Sequence, residues 1–168
     1  MKKQTLNHTV FLALGTNLGD RVVNLNSAIS SLSSFLVIKK LSLIHETEPW
    51  GYKEQKSFLN CAAVFMCKKS PFELLRTIKV AEKKLGRVNR GRWRSREIDI
   101  DMLFFGNRIL QKKNISIPHP QLSKRNFVLK PLVEITPEFI HPLLKKSILK
   151  LSEISEDNCK VKPVRSLF

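Results

Sequence analysis

The residues best suited to chemistry lie in one stretch, where Arg92-Trp93-Arg94-Ser95-Arg96 leads into Glu97-Ile98-Asp99-Ile100-Asp101-Met102-Leu103-Phe104-Phe105. Read with the period of two of a β-strand, Ile98, Ile100, Met102 and Phe104 share one face, and Asp99, Asp101, Leu103 and Phe105 share the other. At about 3.3 Å of rise per residue the two aspartate Cα atoms lie roughly 6 to 7 Å apart, so their carboxylates can converge on one divalent cation or a close pair. The alternative is a solvated face of an edge strand, but Leu103 and Phe105 continue that face and make it a poor one for water. Arg87, Arg90, Arg92, Arg94 and Arg96 cluster just upstream, and His119 and Arg125 follow downstream. Acids for Mg²⁺, cations for phosphate oxygens and an imidazole donor are the parts of a phosphoryl-transfer site, where catalysis is mostly positioning and charge neutralisation. Phe58 and Phe127 can offer flat surfaces to a heteroaromatic ring, and Asn60 can read an amide edge.

These side chains need a frame. The run 9–14 is mostly apolar and stops at Gly15-Thr16-Asn17-Leu18-Gly19-Asp20, which predicts a buried strand, a loop and a helix capped by Asp20. Val22, Leu25, Ile29, Leu32 and Leu36 recur at helical spacing. Gly15 and Gly19 match neither a P-loop nor a dinucleotide fingerprint, so their turn reads as structural. A second strand is expected over 37–46, with Leu41 and Leu43 on one face and Ile38 and Ile44 on the other. An exposed loop carrying Trp50 and Tyr52 should follow. The nearly unbroken apolar run 58–67 predicts a central strand, with Asn60 its one polar member. Ser70-Pro71-Phe72-Glu73 forms a capping box with proline at the first helical position, and Phe72, Leu75, Ile78 and Leu85 make the expected apolar stripe up to Gly86. Gly106-Asn107 signals a turn, with 108–110 pairing back as a hairpin strand. The segment 115–120 is pinned by two prolines, 127–132 is apolar, and 147–154 should be a last short helix. There is no internal repeat and no linker, so a single α/β or α+β domain is expected.

At 168 residues the chain suits one domain with a real core. The net charge of +16 admits nucleic acid, an anionic membrane surface or a polyphosphate ligand, and charge alone does not choose among them. The lysines are spread along the chain and the arginines are not. Cys61, Cys67 and Cys159 form an odd set without metal-ligand spacing, which fits core thiols in a reducing cytoplasm. The apolar run 10–14 is too short for a signal-peptide core, and nothing approaches a membrane span.

Several motifs in order carry a resemblance: 11–20, Thr47-Glu48-Pro49-Trp50-Gly51, Phe58-Leu59-Asn60, Arg92-Trp93, 98–106, Ile117-Pro118-His119-Pro120, Arg125-Asn126-Phe127-Val128-Leu129 and Pro131-Leu132. Together they resemble 6-hydroxymethyl-7,8-dihydropterin pyrophosphokinase of folate biosynthesis, over most of the chain. The resemblance implies a ferredoxin-like α/β (α+β) fold, a mainly antiparallel sheet flanked by helices, spanning 1–168 with a peripheral tail from about 157. It implies transfer of pyrophosphate from ATP to the pterin hydroxymethyl group, releasing AMP, with two Mg²⁺ held by Asp99 and Asp101. Phe58 and Phe127 would sandwich the pterin, and Asn60 with the backbone at Thr47 and Trp50 would bind its edge. Arg87, Arg96, His119 and Arg125 would contact the triphosphate, with Glu82 and the backbone near Met102 and Ser116 toward the nucleoside. Trp93 and its loop would close over the substrates and exclude water. The expected partners are these small molecules, with no nucleic acid and no membrane, and the expected state is a cytoplasmic monomer. Three positions depart from the family pattern. Arg94-Ser95 replace a common Gly-Pro, which changes the loop's stiffness; Asn89 stands where a second loop arginine is often found, so that role is either absent or taken by Arg90 or Arg92; Lys56 replaces a proline. Two other readings use the same residues: a basic nucleic-acid-binding module, against which the paired acids argue, and a nucleotidyltransferase that would release pyrophosphate.

Overall fold

A computed structural model describes residues 7–49, 51–91 and 94–165. The elements in chain order are β1 (His8–Thr16), α1 (Arg21–Ser33), β2 (Val37–Leu41), β3 (Ile44–Thr47), β4 (Phe58–Cys67), α2 (Pro71–Lys84), β5 (Asp99–Phe105), β6 (Leu110–Lys112), β7 (Ile115–Ile117), α3 (Asn126–Ile135), α4 (Ile148–Glu153) and β8 (Val161–Arg165). Along the main sheet the strands run β5, β1, β4, β3, β8, and β2 also pairs with β4. Neighbours in this sheet are antiparallel throughout. With α1 and α2 as the crossovers this is the ferredoxin-like arrangement.

The unbroken hydrophobicity of β4 follows from its place, since it is covered on both faces. On one face Val10, Leu12, Leu14, Cys61 and Phe65 pack against Leu25, Ile29 and Leu32 of α1 and Leu74 and Ile78 of α2. On the other, Phe11, Val64, Leu103 and Phe104 pack under Val128, Leu129 and Leu132 of α3 and Ile148 and Leu151 of α4. Asp20 caps α1 by accepting from Val23 N, Ser70 and Glu73 form the reciprocal capping box on α2, and Ser147 caps α4. Gly86, at φ 88, takes the left-handed step just past α2.

Four expectations need correction. The stretch 37–46 is two strands, because the chain breaks at Ser42: its N–H donates to Ala62 O and its Oγ accepts from Ala62 N, both at 2.9 Å, so the side chain replaces a backbone partner. Leu43, with no strand neighbour, donates its N–H to Glu134 Oε1 at 2.8 Å. In β5 the period of two fails once. Phe11 pairs with Phe104 and Leu12 with Met102, so Leu103 is the extra residue of a bulge. Phe104 therefore turns to the α3 face and Phe105 to the α1/α2 face, the reverse of strict alternation. The apolar face of α2 runs through Pro71, Leu74, Ile78 and Ala81, while Phe72 is 48% exposed. Finally, 108–110 does not pair back on β5. Leu110 pairs with Ile117 in a small separate β6–β7 hairpin, and β5 is instead met by His119 N donating to Leu103 O at 2.9 Å.

The tail from 157 lies at the sheet's edge, where β8 pairs with β3, and Asp157 Oδ2 accepts from Asn126 N at 2.7 Å at the start of α3. No described helix is long and apolar enough to cross a membrane.

Candidate active site

Strand register builds the site. Gly15 of β1 pairs across to Asn60 of β4 on one side and to Asp99 of β5 on the other, and Ala13 pairs with Ala62 and Asp101. Asp101 and Asp99 thus lie on the α3 face two strands away from Asn60, with only the small residues Ala13 and Gly15 between. A pocket of about 100 Å³ opens there, with Gly15 on its floor, Phe58, Asn60 and Thr47 on one side, and Asp99 and Asp101 on the other. Arg125, Phe127 and Val128 close it from the start of α3.

Asn60 is buried, and its Nδ2 donates to Thr47 Oγ1 at 2.7 Å. The amide is held in one orientation, as a reader of a ring edge must be. The Arg125 guanidinium lies 5.6 Å from the Phe127 ring centroid, linking the aromatic wall to the cationic end of the pocket.

At the acidic end, Arg87 Nη1 is 2.7 Å from Asp99 Oδ1 and Arg96 Nη1 is 2.5 Å from Asp99 Oδ2. Burial pushes the Asp99 carboxyl up, but Arg96 and Arg87 outweigh it, so the acid is held below its ordinary range. Asp101 goes the other way. Burial and then the Asp99 charge raise it to about 6, against Lys79, Arg125 and Arg87. A pair of acids pushed apart in this way is an arrangement that a cation would relieve.

Glu82, 2% exposed, organises the outer part. Its Oε1 accepts from Ile100 N at 2.7 Å and from Arg87, and its Oε2 from Lys79 Nζ at 2.8 Å. Burial raises its carboxyl despite Lys79, Ile100 N and Arg87. Beside it a second cleft of about 310 Å³ lies between the end of α2 and the arginine loop, carrying Lys79, Arg87, Arg90, Arg94 and Arg96. Arg96 lines both cavities.

His119 is anchored by its backbone to β5, and its Nδ1 accepts from Gln121 N at 3.2 Å, which leaves the proton on Nε2. Burial, then Arg125, pushes it down to about 4, with Asp99 opposing, so the imidazole is a neutral donor at pH 7. It lines neither cavity.

The structure therefore brings together Thr47, Phe58, Asn60, Arg96, Asp99, Asp101, Arg125 and Phe127. Arg87 and Glu82 join through Asp99 and the second cleft. Met102 is turned away: its side chain packs in the α1/α2 core, leaving only its backbone for a ligand. Ser116 sits on β7, with its Oγ donating to Gln111 Oε1 at 3.1 Å. Arg90 forms a paired contact with Glu97, at 2.9 and 2.5 Å. Trp50, Arg92 and Trp93 lie outside the described residues. Sequence reasoning missed Lys79, Asn17, Gln55 and the spacing role of Ala13 and Gly15. Only the small size of the last two, in a strand that otherwise reads as core, carried a signal.

The model of the 7,8-dihydro-6-hydroxymethylpterin-pyrophosphokinase family matches residues 11–137. A 2-amino-4-hydroxy-6-hydroxymethyldihydropteridine pyrophosphokinase of Aquifex aeolicus is 43% identical over 140 residues, covering 83% of this chain and 88% of the relative. The Bacillus subtilis protein of the same name is 39% identical over 132 residues, with 77% and 79% covered. The folic acid synthesis protein FOL1 of Dictyostelium discoideum is 41% identical over 138 residues, but these are 82% of this chain and only 21% of the relative. The crystal structure of Plasmodium falciparum HPPK-DHPS wild type with STZ-DHP superposes with a TM-score of 0.74 at 19% identity, over 90% of this chain and 44% of that one. At that identity it bears on the fold alone.

Proposed function

The chain belongs to the 7,8-dihydro-6-hydroxymethylpterin-pyrophosphokinase family, and from that premise we propose that the pocket over Gly15 is where a reduced pterin meets ATP. The activity is pyrophosphoryl transfer in folate biosynthesis, with ATP as co-substrate. One observation carries the site assignment: the Asn60–Thr47 pair and the Asp99–Asp101 pair flank Gly15 from opposite neighbouring strands. Two strand spacings make a span of roughly 10 Å, which suits a bicyclic ring read at one edge and bearing a one-carbon arm at the other. Phe58 and Phe127 would cover the ring faces. Thr47, Asn60 and the Trp50 backbone would take its edge.

The acid pair fits Mg²⁺. Its donors are oxygens only, and no cluster of three or more histidine, cysteine or acidic side chains forms a competing site among the described residues. Ions of this kind are commonly held by one or two carboxylates plus substrate phosphates. Asp99 and Asp101 would hold two Mg²⁺, which when bound would neutralise and align phosphate oxygens. The chain's own groups do the rest. Arg87 and Arg96, now on Asp99, would turn to the phosphates. Arg125 and the neutral His119 would donate to non-bridging oxygens, and Glu82 and the backbone near Met102 and Ser116 would face the nucleoside. The pterin hydroxyl oxygen attacks the β-phosphorus, the bond from that phosphorus to the α,β-bridging oxygen breaks, AMP leaves with that oxygen, and the hydroxyl proton goes to a phosphate oxygen, from which solvent takes it once the products leave. Trp93 and its loop would shut out water, since hydrolysis of ATP is the competing reaction.

The nucleic-acid reading gains little support, because Arg87 and Arg96 are turned onto Asp99 and Arg90 onto Glu97 rather than outward along a track. The test is to incubate the protein with MgATP and 6-hydroxymethyl-7,8-dihydropterin and to identify the products. AMP and a pyrophosphorylated pterin are expected, and Asp101→Asn should abolish both with the circular dichroism spectrum unchanged. Release of free pyrophosphate with AMP left on the pterin would instead make it a nucleotidyltransferase. Near-wild-type turnover by the variant would remove Asp101 from the metal site.

A further inference from the structure

Arg125 and Phe127, which close the pocket, flank the first residue of α3, Asn126. The position before that residue, where a helix ordinarily takes Ser, Thr, Asp or Asn, is Arg125 itself, and its side chain makes no capping bond. A side chain that faces the pocket cannot also bend back onto its own helix. The cap comes instead from the tail, 31 residues on: Asp157 Oδ2 accepts from Asn126 N at 2.7 Å, and Asp157 O accepts from Asn126 Nδ2. A carboxylate at this end also suits the helix dipole. The cap is itself held, because Asp157 Oδ1 accepts from Cys159 N at 3.0 Å and Asp157 N donates to Ser155 Oγ at 3.3 Å. Two residues later the tail is fixed to the opposite wall, where Cys159 Sγ donates to Glu48 O at 3.3 Å and Val161 pairs with Thr47. Thr47 and Glu48 line the pocket, and Asp157 does not.

We propose that Asp157 is a positioning residue of the reaction: by capping α3 from the tail it holds Arg125 and Phe127 at a fixed distance from the wall formed by Thr47 and Glu48, and so sets the width of the pterin pocket. The inference rests on the site assignment made above. The first N–H groups of an α-helix have no partner within it, so without Asp157 the start of α3 loses the bond that fixes it. That loss costs more than stability, because the residues on either side of Asn126 are site groups. Groups facing the reactants are sensitive to placement, and an error of ~1 Å can cost roughly 100-fold in rate. The tail from 157 is therefore part of the frame of the site.

The test is steady-state kinetics of the full chain with MgATP and 6-hydroxymethyl-7,8-dihydropterin, paired with urea denaturation. Asp157→Ala should lower kcat/KM for the pterin about tenfold, which is ~1.4 kcal/mol. Ser147→Ala is the control. It removes the cap from α4, where Ser147 Oγ accepts from Lys150 N at 3.1 Å and no helix residue lines the pocket, so it should lose stability without losing turnover. A merely structural Asp157 would behave in the same way. Asn126→Pro supplies the rescue. Proline is favoured at the first helical position, has no N–H to cap and requires extended backbone before it, which Arg125 has at φ −135 and ψ 103. In that background Asp157→Ala should lower kcat/KM far less than in the wild-type chain, as expected of two residues that share one bond. Asp157→Asn retains one oxygen for the two N–H groups that the carboxylate serves, so its loss should fall between wild type and Asp157→Ala, and it carries the test if the alanine chain does not fold. An unchanged kcat/KM in Asp157→Ala, or in Asp157→Asn where the alanine chain does not fold, overturns the inference and leaves the site assignment intact. So does a matching loss of turnover in Ser147→Ala, or an equal loss with and without Asn126→Pro. A wild-type chain that forms no pyrophosphorylated pterin overturns both.

Discussion

A methyl group on Gly15 would sit 2.5 Å from Asn60 Oδ1, closer than a real contact allows. Gly15 is not among the glycines with a left-handed φ, so what the position requires is space rather than backbone freedom. Asn60 is tied on its other side to Thr47 and cannot swing away without losing that bond. Gly15→Ala should therefore displace the amide. Overpacking of this kind costs about 1 to 3 kcal/mol, and if it falls on the pterin subsite the KM for pterin should rise about tenfold, which is ~1.4 kcal/mol. The KM for ATP should move much less. Steady-state kinetics with each substrate varied in turn checks this, and equal effects on both KM values would show that the strand as a whole had shifted. At this scale the shared face of the two acids was legible in the sequence, because parity is a local property, whereas Phe58, Asn60 and Phe127, which taken singly fit a core as well, were singled out by the order of motifs that carries the resemblance. The spacing role of Gly15 and the bonds of Asn17 to Gln55 and Arg96 were legible in neither way. Both depend on which distant strand or loop lies alongside, and no local pattern encodes that.

The break between β2 and β3 illustrates the next scale. Ser42 is 3% exposed, accepts from Ala62 N and donates its hydroxyl proton to Leu43 O at 2.7 Å. Ser42→Ala would leave the Ala62 N–H buried without its partner, a loss of about 1 to 3 kcal/mol. Urea denaturation should show that fall with the slope of the transition unchanged. A destabilisation below about 0.5 kcal/mol would mean that water or a relaxed strand takes over the bond. The helices were readable because their signals are local and redundant: the cap at Asp20 and the capping box at Ser70 fall where the sequence implies, and the helix expected over 147–154 forms over Ile148–Glu153 with Ser147 as its cap. The strands were readable as runs and unreliable as registers. A serine can stand in for backbone, and an extra residue can enter at Leu103, without disturbing hydrophobicity along the chain. The same limit explains 108–110, whose pairing partner was decided by Ile117 and not by the turn before it.

For the whole molecule, acid should act through buried histidines that are neutral when folded. Burial is the first cause lowering His45, His119 and His141, with Glu134 opposing at His45 and Arg125 adding at His119. A histidine depressed by folding contributes stability that is complete above the unfolded value of about 6.5 and is lost as pH falls toward the folded value. Other groups overlay this. Asp101 and Glu82 are raised, so they favour the folded state as pH falls through their folded values, about 6 for Asp101. Glu46, Glu97 and Asp99 are lowered, and their contribution persists until the pH drops below the ordinary carboxylate range. The wild-type curve is therefore a sum of opposing parts, and one histidine has to be isolated from it. His141 is suited to this. Its Nδ1 accepts from Leu143 N at 3.2 Å and Leu144 N at 3.1 Å, and its ring meets Phe104 edge to face at 5.4 Å. A proton on Nδ1 would face two N–H donors, so charging the ring breaks both bonds as well as burying a cation. Asparagine at this position can present Oδ1 where Nδ1 stood, but it does not titrate. His141→Asn should thus be less stable than wild type at pH 7.5, where the packing of the ring is lost and nothing is gained. As pH falls from about 6.5 to 5 the wild type should lose stability that the variant does not have to lose, so the gap should narrow or reverse. Parallel stability curves for the two proteins between pH 7.5 and 5 would show that His141 keeps its ordinary affinity for the proton despite its burial.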